Sequence, residues 1–136
     1  MRNRWIWLTM LSMSISVAHA QSKSKTFLFI GSYTDGKPGR GIYMYDFNPK
    51  SGAVKKVCAV DNITNPSYIT LAPSGQYLYA CMDTKLPDTG SVAAFKINRT
   101  KGTLSFINRQ ESGGDNPVYQ SVHKNGNWLI NANYSG

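Results

Sequence analysis

Beyond residue 20 the apolar residues fall into short runs separated by clusters of turn residues. Four such runs occupy Ser67–Ala72, Tyr77–Met82, Ser91–Ile97 and Leu104–Arg109. In the later runs apolar and polar positions alternate, as where Lys96 sits between Phe95 and Ile97. That period of two places successive side chains on opposite faces of a strand. The runs are rich in Tyr, Val, Ile, Phe and Thr, which suit a pleated, half-buried surface. Pro73-Ser74-Gly75 and Lys124-Asn125-Gly126 carry the chemistry of tight hairpins, in which glycine supplies a positive φ. Asn48–Gly52 and Asn98–Gly102 predict longer hairpin loops of one design. No segment after residue 20 sustains a helical period, so the pattern predicts an all-β chain.

The pattern repeats. At an offset of fifty, Leu28-Phe29 meets Leu78-Tyr79, Thr34 meets Thr84, Asn48 meets Asn98 and Gly52 meets Gly102. At an offset of fifty-one, Asn65-Pro66 meets Asn116-Pro117, Tyr68 meets Tyr119, Gly75 meets Gly126 and Leu78 meets Leu129. A third copy opens with Leu129–Tyr134. A four-stranded antiparallel unit repeating at this length predicts the blade of a β-propeller. The rival is a sandwich of short strands, which needs no turn sequences at a fixed period. Residues 21–136 hold a little over two periods, whereas propellers close with about four to eight blades. The expectation is that further blades follow Gly136, with a ring of identical chains as the alternative.

The amino terminus stands apart from this pattern. Arg2 and Arg4 precede an almost uncharged apolar run, Trp5–Val17, and Ala18-His19-Ala20 is a small-x-small site. Residues 1–20 are expected to be a signal peptide, with residues 21–136 exported to the periplasm or secreted. The run is short of the roughly 20 residues a membrane-spanning helix needs, so no membrane association is expected after cleavage. The chain has 15 basic and 7 acidic residues, and losing Arg2 and Arg4 leaves 13 − 7 = +6. The lysines are scattered, without the aromatic-laced basic patch of a nucleic-acid binder, and no nucleic-acid partner is expected. A mild attraction for anions remains.

Candidate chemistry is sparse. The two cysteines, Cys58 and Cys81, show no zinc-ligand spacing with the 2 histidines. No metal and no cofactor are expected. Export would allow a Cys58–Cys81 bridge, but isolated strand cysteines usually serve as small buried apolar residues.

The segments Phe29–Thr34, Gly41–Tyr45, Asn65–Tyr68, Ser74–Tyr79 and Ala132–Gly136 resemble the lactonase family of seven-bladed propellers, whose best-known activity is 6-phosphogluconolactonase. The resemblance runs in linear order over residues 26–136. It implies a seven-bladed, monomeric complete protein that opens a sugar lactone, either 6-phosphogluconolactone or an unphosphorylated aldonolactone, to its acid. It also implies that the strand after each Asn-Pro is innermost. Residues 26–60 would then be three outer strands of a blade closed by an inner strand from the carboxy terminus. A non-catalytic propeller holding a sugar or protein partner is the competing expectation, and a muconate-cycloisomerase-like activity is a third.

With that phase, the Asn-Pro corners and the ends of the second strands share one face. It gathers Asn65, Tyr68, Asn116, Tyr119, Tyr33, Asp83, Asn133 and Tyr134, with loops 34–41 and 84–90. Lactone hydrolysis needs a general base and donors for the developing oxyanion. Asp83 is the one carboxylate expected at a strand end there, and Tyr33 and Tyr134 are candidate donors. Lys37, Arg40 and Lys85 could reach an anionic group. Asn65 and Asn116 have a purely structural reading as turn formers before proline, and Asp83 has one as a strand-end residue hydrogen-bonded to the loop that follows it. His123 precedes a hairpin turn on the opposite face. Where the family often carries a histidine after the proline, this chain has Tyr68 and Tyr119, so the strongest acid–base groups are expected beyond Gly136.

Overall fold

The computed structural model describes residues 25–34, 40–83 and 89–136. The proposed signal segment and loop residues Lys37 and Lys85 lie outside the described residues. Nine strands form: β1 (Thr26–Gly31), β2 (Arg40–Phe47), β3 (Val54–Asp61), β4 (Tyr68–Leu71), β5 (Tyr77–Met82), β6 (Ser91–Asn98), β7 (Thr103–Glu111), β8 (Asp115–Val122) and β9 (Leu129–Ser135). They make three antiparallel meanders, β1-β2-β3, β4-β5-β6-β7 and β8-β9. The complete blade has four strands, as the repeat predicts, and the first sheet has three.

The matching turn sequences fold alike. Asn48 Oδ1 accepts from Ser51 N at 3.3 Å, and Asn98 Oδ1 accepts from the matching Lys101 N at 2.8 Å. Each loop then closes with a glycine N–H donating to the carbonyl of that asparagine, Gly52 at 2.9 Å and Gly102 at 2.8 Å. The short asparagine side chain ties up loop backbone, and the glycine takes the left-handed conformation needed to re-enter the sheet. The strand β8 begins at Asp115, ahead of its own Asn-Pro pair. Pro117 has no N–H for the ladder, so the strand runs through it with a register shift between Pro117 and Tyr119.

The core lies between the first two sheets. Ile42 and Met44 of β2 meet Leu78, Ala80 and Met82 of β5 and Ala93, Phe95 and Ile97 of β6, all essentially buried. Burying each large apolar side chain contributes about 1.5–3 kcal/mol, so this joint dominates the packing. The joint between the second and third sheets is more polar. Ser67 Oγ donates to the Pro117 carbonyl at 2.8 Å, and buried Gln120 donates from Nε2 to the Tyr68 carbonyl at 3.5 Å.

A recurring device seats each sheet on the next. Pro66 covers Gly31, and Pro117 covers Gly90, so closely that a Cβ on either glycine would collide with the proline residue. The Asn-Pro corner of one blade thus packs on a glycine of the blade before it. Where no neighbour covers a sheet, alternate residues stay exposed. Leu28 and Ile30 of β1 face outward while Phe27 and Phe29 pack on the core. Ile130 on β9 is 73% exposed. Beside β1, an open apolar groove of about 440 Å³ runs past Phe27, Phe29, Ile69 and Leu71.

Candidate functional site

Every sheet has two kinds of end. The Asn-Pro corners, the ends of β1, β5 and β9 and the starts of β2 and β6 lie at one end, as the pairings Gly31↔Ile42, Tyr68↔Cys81, Met82↔Ser91 and Asp115↔Ser135 require. The hairpin turns, including His123, lie at the other. The expected gathering of side chains at one face therefore follows from strand direction.

The corners themselves are strained in the same way. Asn65 has φ 41° and Asn116 has φ 51°. Asparagine tolerates this left-handed region better than most residues.

The two corners then do different work. Asn65 Oδ1 accepts from the Thr34 N–H at 2.8 Å, and its own N–H donates to Thr34 Oγ1 at 3.3 Å. Its Nδ2 donates to Asp83 Oδ2 at 3.0 Å. It thereby latches the segment after β1 to the end of β5, and the loop to which a structural Asp83 was expected to bond lies outside the described residues. In the next copy Tyr134 stands where Asp83 stands in the first. Asn116 has no such acid to hold, and its exposed side chain borders an open cleft.

That cleft, of about 440 Å³, is lined by Tyr33, Asp83, Gly90, Asp115, Asn116 and Ser135. It brings together three of the expected residues, Tyr33, Asp83 and Asn116. It also adds a half-buried carboxylate that the repeat reading passed over, Asp115. Asp83 is therefore not the one strand-end carboxylate at this face. The signal was present: Asp115 immediately precedes Asn116-Pro117, so whatever places that corner places Asp115 too. Among the described residues no Lys or Arg lines the cleft.

The other expected residues fall elsewhere. Tyr68 and Tyr119 pack on one another across the inner strands, with ring centroids 4.9 Å apart. Asn133 donates from Nδ2 to the Ser112 carbonyl and accepts from Asn131 Nδ2, both at 3.0 Å, so its amide holds backbone. Tyr134 is 81% exposed, outside the cleft lining. Arg40 is at the correct end but on an outer strand, where Nε donates to Asp61 Oδ1 at 3.1 Å. Cross-strand pairing across β2 and β3 makes this partnership. Cys58 and Cys81 are both free thiols. Burial pushes the Cys81 thiol up to about 11. The described residues hold no group of side chains able to bind a metal, and no helix long and apolar enough to cross a membrane occurs among them.

Successive antiparallel meanders, one of them a complete four-stranded blade, that pack side by side with a polar cleft at the corner end are the build of a β-propeller. Comparison with known proteins gives its kind. The chain belongs to the family described as lactonase, 7-bladed beta-propeller, whose model matches residues 27–136. It is 44% identical over 108 residues to the 6-phosphogluconolactonase of Formosa agariphila, covering 79% of this chain and 31% of the relative. It is 29% identical over 106 residues to the 6-phosphogluconolactonase of Bacillus subtilis, covering 78% of this chain and 30% of that one. Among solved structures, the periplasmic gluconolactonase of Pseudomonas aeruginosa aligns with a TM-score of 0.69 at 29% identity, over 82% of this chain and 31% of that chain. The chain spans about 31% of the length of the first of these relatives.

Proposed function

We propose that the complete protein to which these residues contribute hydrolyses a sugar lactone to the open acid. The reading rests on family membership together with the cleft at the corner end. Two carboxylates, Asp83 and Asp115, border that cleft beside Tyr33 and Asn116. A carboxylate can take a proton from the attacking water, and a phenol and an amide can donate to the oxyanion that forms on the lactone carbonyl. Asn65 holds Asp83 by one oxygen, which fixes its orientation.

Charge bears on the substrate. A phosphate would meet two carboxylates in this cleft and no cation from its described lining, and like charges repel. An unphosphorylated aldonolactone is the better fit here, and the 6-phosphate is the alternative. Export agrees with it. Residues 1–20 have the make-up of a signal peptide, and the similar Pseudomonas aeruginosa protein is described as periplasmic.

We further propose that more blades complete the ring and that a strand from one of them fills the groove beside β1 as the fourth strand of the first blade. The complete protein is then a monomer. The test is hydrolysis of glucono-1,5-lactone and its 6-phosphate by the full-length protein, with spontaneous opening subtracted. Excess rate on the unphosphorylated lactone is expected. No excess on either substrate removes the reading.

A further inference from the structure

The hairpin end, opposite the cleft, has the reverse charge. Asp61 and Glu111 end β3 and β7, Asp83 follows β5 and Asp115 begins β8, all at the corner end. Lys25, Lys50, Lys96, Arg99, Lys101 and Lys124 lie in or beside the turns and strand ends of the other. Of the described carboxylates, Asp46 alone is placed toward that end, opposite Lys55 across β2 and β3.

Three of these cations share one depression of about 660 Å³. Lys96, Arg99 and Lys101 line it with the hydroxyls of Ser74, Thr103 and Ser105, and no carboxylate does. Arg99 is held in place from outside the depression. Its Nη1 donates to the Lys25 carbonyl at 3.4 Å, and its guanidinium lies 5.6 Å from the centroid of the Phe27 ring. A stacked guanidinium gives up less freedom when it binds an anion, and its planar fork suits phosphate oxygens. Three neighbouring cations without an acid raise the local potential, which a dianion relieves. Hydroxyls beside them can both donate to and accept from the hydroxyls of a sugar.

We propose that this depression is a binding site for a phosphorylated saccharide, separate from the cleft and independent of the lactonase reading. The ligand is either a free sugar phosphate or a phosphate-bearing glycan. One hydrogen bond to a charged group is worth about a tenfold change in affinity, which sets the scale of the test. Calorimetry of the full-length protein at low salt is run with glucose 6-phosphate, with glucose, and with a polymer of phosphodiester-linked sugars. Saturable binding of glucose 6-phosphate but not glucose is expected. It should weaken at least about tenfold in K96Q/R99Q/K101Q and persist in K50Q/K56Q/K124Q, which removes the same charge outside the depression. The same pattern with the polymer alone would assign the site to a glycan. K96Q/K101Q leaves the contacts of Arg99 to Phe27 and Lys25 intact and must still weaken binding several-fold. Equal losses in both triple variants, or no saturable binding of either phosphorylated probe, would overturn the site.

Discussion

Asn65 Nδ2 donates to Asp83 Oδ2 at 3.0 Å, across 18 residues of sequence, while the other end of the same amide accepts from Thr34. One side chain thus joins the end of β5 in the second sheet to the segment that follows β1 in the first. Asn116, the same residue at the same left-handed corner, meets a tyrosine position in place of the acid and borders the cleft instead. Repetition of sequence made the corner twice, and the residue at the strand end beside it differs, Asp83 at the first and Tyr134 at the second.

Removing the latch tests that account. Asn65→Ala loses hydrogen bonds worth about 1 kcal/mol each and puts a Cβ-bearing residue without a local hydrogen bond at φ 41°. The full-length protein should lose about 2–4 kcal/mol in urea unfolding. Asn65→Gly keeps the backbone comfortable and should recover about 1 kcal/mol of that loss. Asn116→Ala lacks the side-chain term and should cost less than Asn65→Ala. Equal costs at the two corners would show that the latch contributes nothing.

The carboxylates divide differently. Asp83→Asn keeps an oxygen for Asn65 Nδ2, so stability should change by less than about 1 kcal/mol. If Asp83 or Asp115 activates the water, the corresponding Asn variant should lower kcat on gluconolactone by about a hundredfold or more, with KM little moved. A rise in KM alone, with kcat intact, would make these residues binding groups only.

Corner packing sets a further expectation. Gly90→Ala drives a Cβ into the Pro117 ring, and overpacking of this kind costs about 1–3 kcal/mol. Gly126→Ala has nothing within 4 Å of its Cβ, and its only penalty is φ 78°, about 1 kcal/mol. Thermal melts of the two variants should rank Gly90→Ala as the more damaging, and the reverse order would mean that the blades do not rest on this contact.

Much of the fold could be read before any coordinates, because each blade is written locally. Asn48–Gly52 and Asn98–Gly102 specify their own turns, and the alternation in Phe95, Lys96 and Ile97 specifies which side is buried. The site was less legible, since it depends on what lies across a joint. The pairing of Arg40 with Asp61 follows from register over 21 residues, and no local pattern shows it. Asn133 looks identical in sequence whether its amide is free or, as here, spent on the Ser112 carbonyl. Asp115 was missed because the repeat was aligned on its matching residues, and at an offset of fifty-one Asp115 falls on Thr64. The chemistry lies where the copies differ.

The cysteines give a pH-dependent expectation. Cys81 is fully buried, and burial raises its thiol from the usual 9.0 to about 11, because a thiolate would lose its hydration. A raised pKa means that the folded state holds the proton more tightly. This contribution to stability is whole below pH 9.0 and is lost as pH rises through about 11. At pH 8 a thiol reagent should label Cys58 in the native full-length protein and reach Cys81 only after unfolding. Fast native labelling at Cys81 would contradict the packing between the first two sheets.

Residues 21–136 by themselves should not behave as a folded domain. The joint between the first two sheets is well packed, but both outward faces are bare. Leu28 and Ile30 are 38% and 43% exposed on one side, and Trp128 and Ile130 are 69% and 73% exposed on the last sheet. Blades of a repeat protein draw much of their stability from neighbours, and apolar faces of this kind recruit other chains when uncovered. Expressed alone, the segment should bind a hydrophobic dye, associate in sedimentation and melt without a sharp transition. A monomer with a steep cooperative melt would mean that two sheets and a hairpin satisfy themselves, and that further blades add function without being needed for folding.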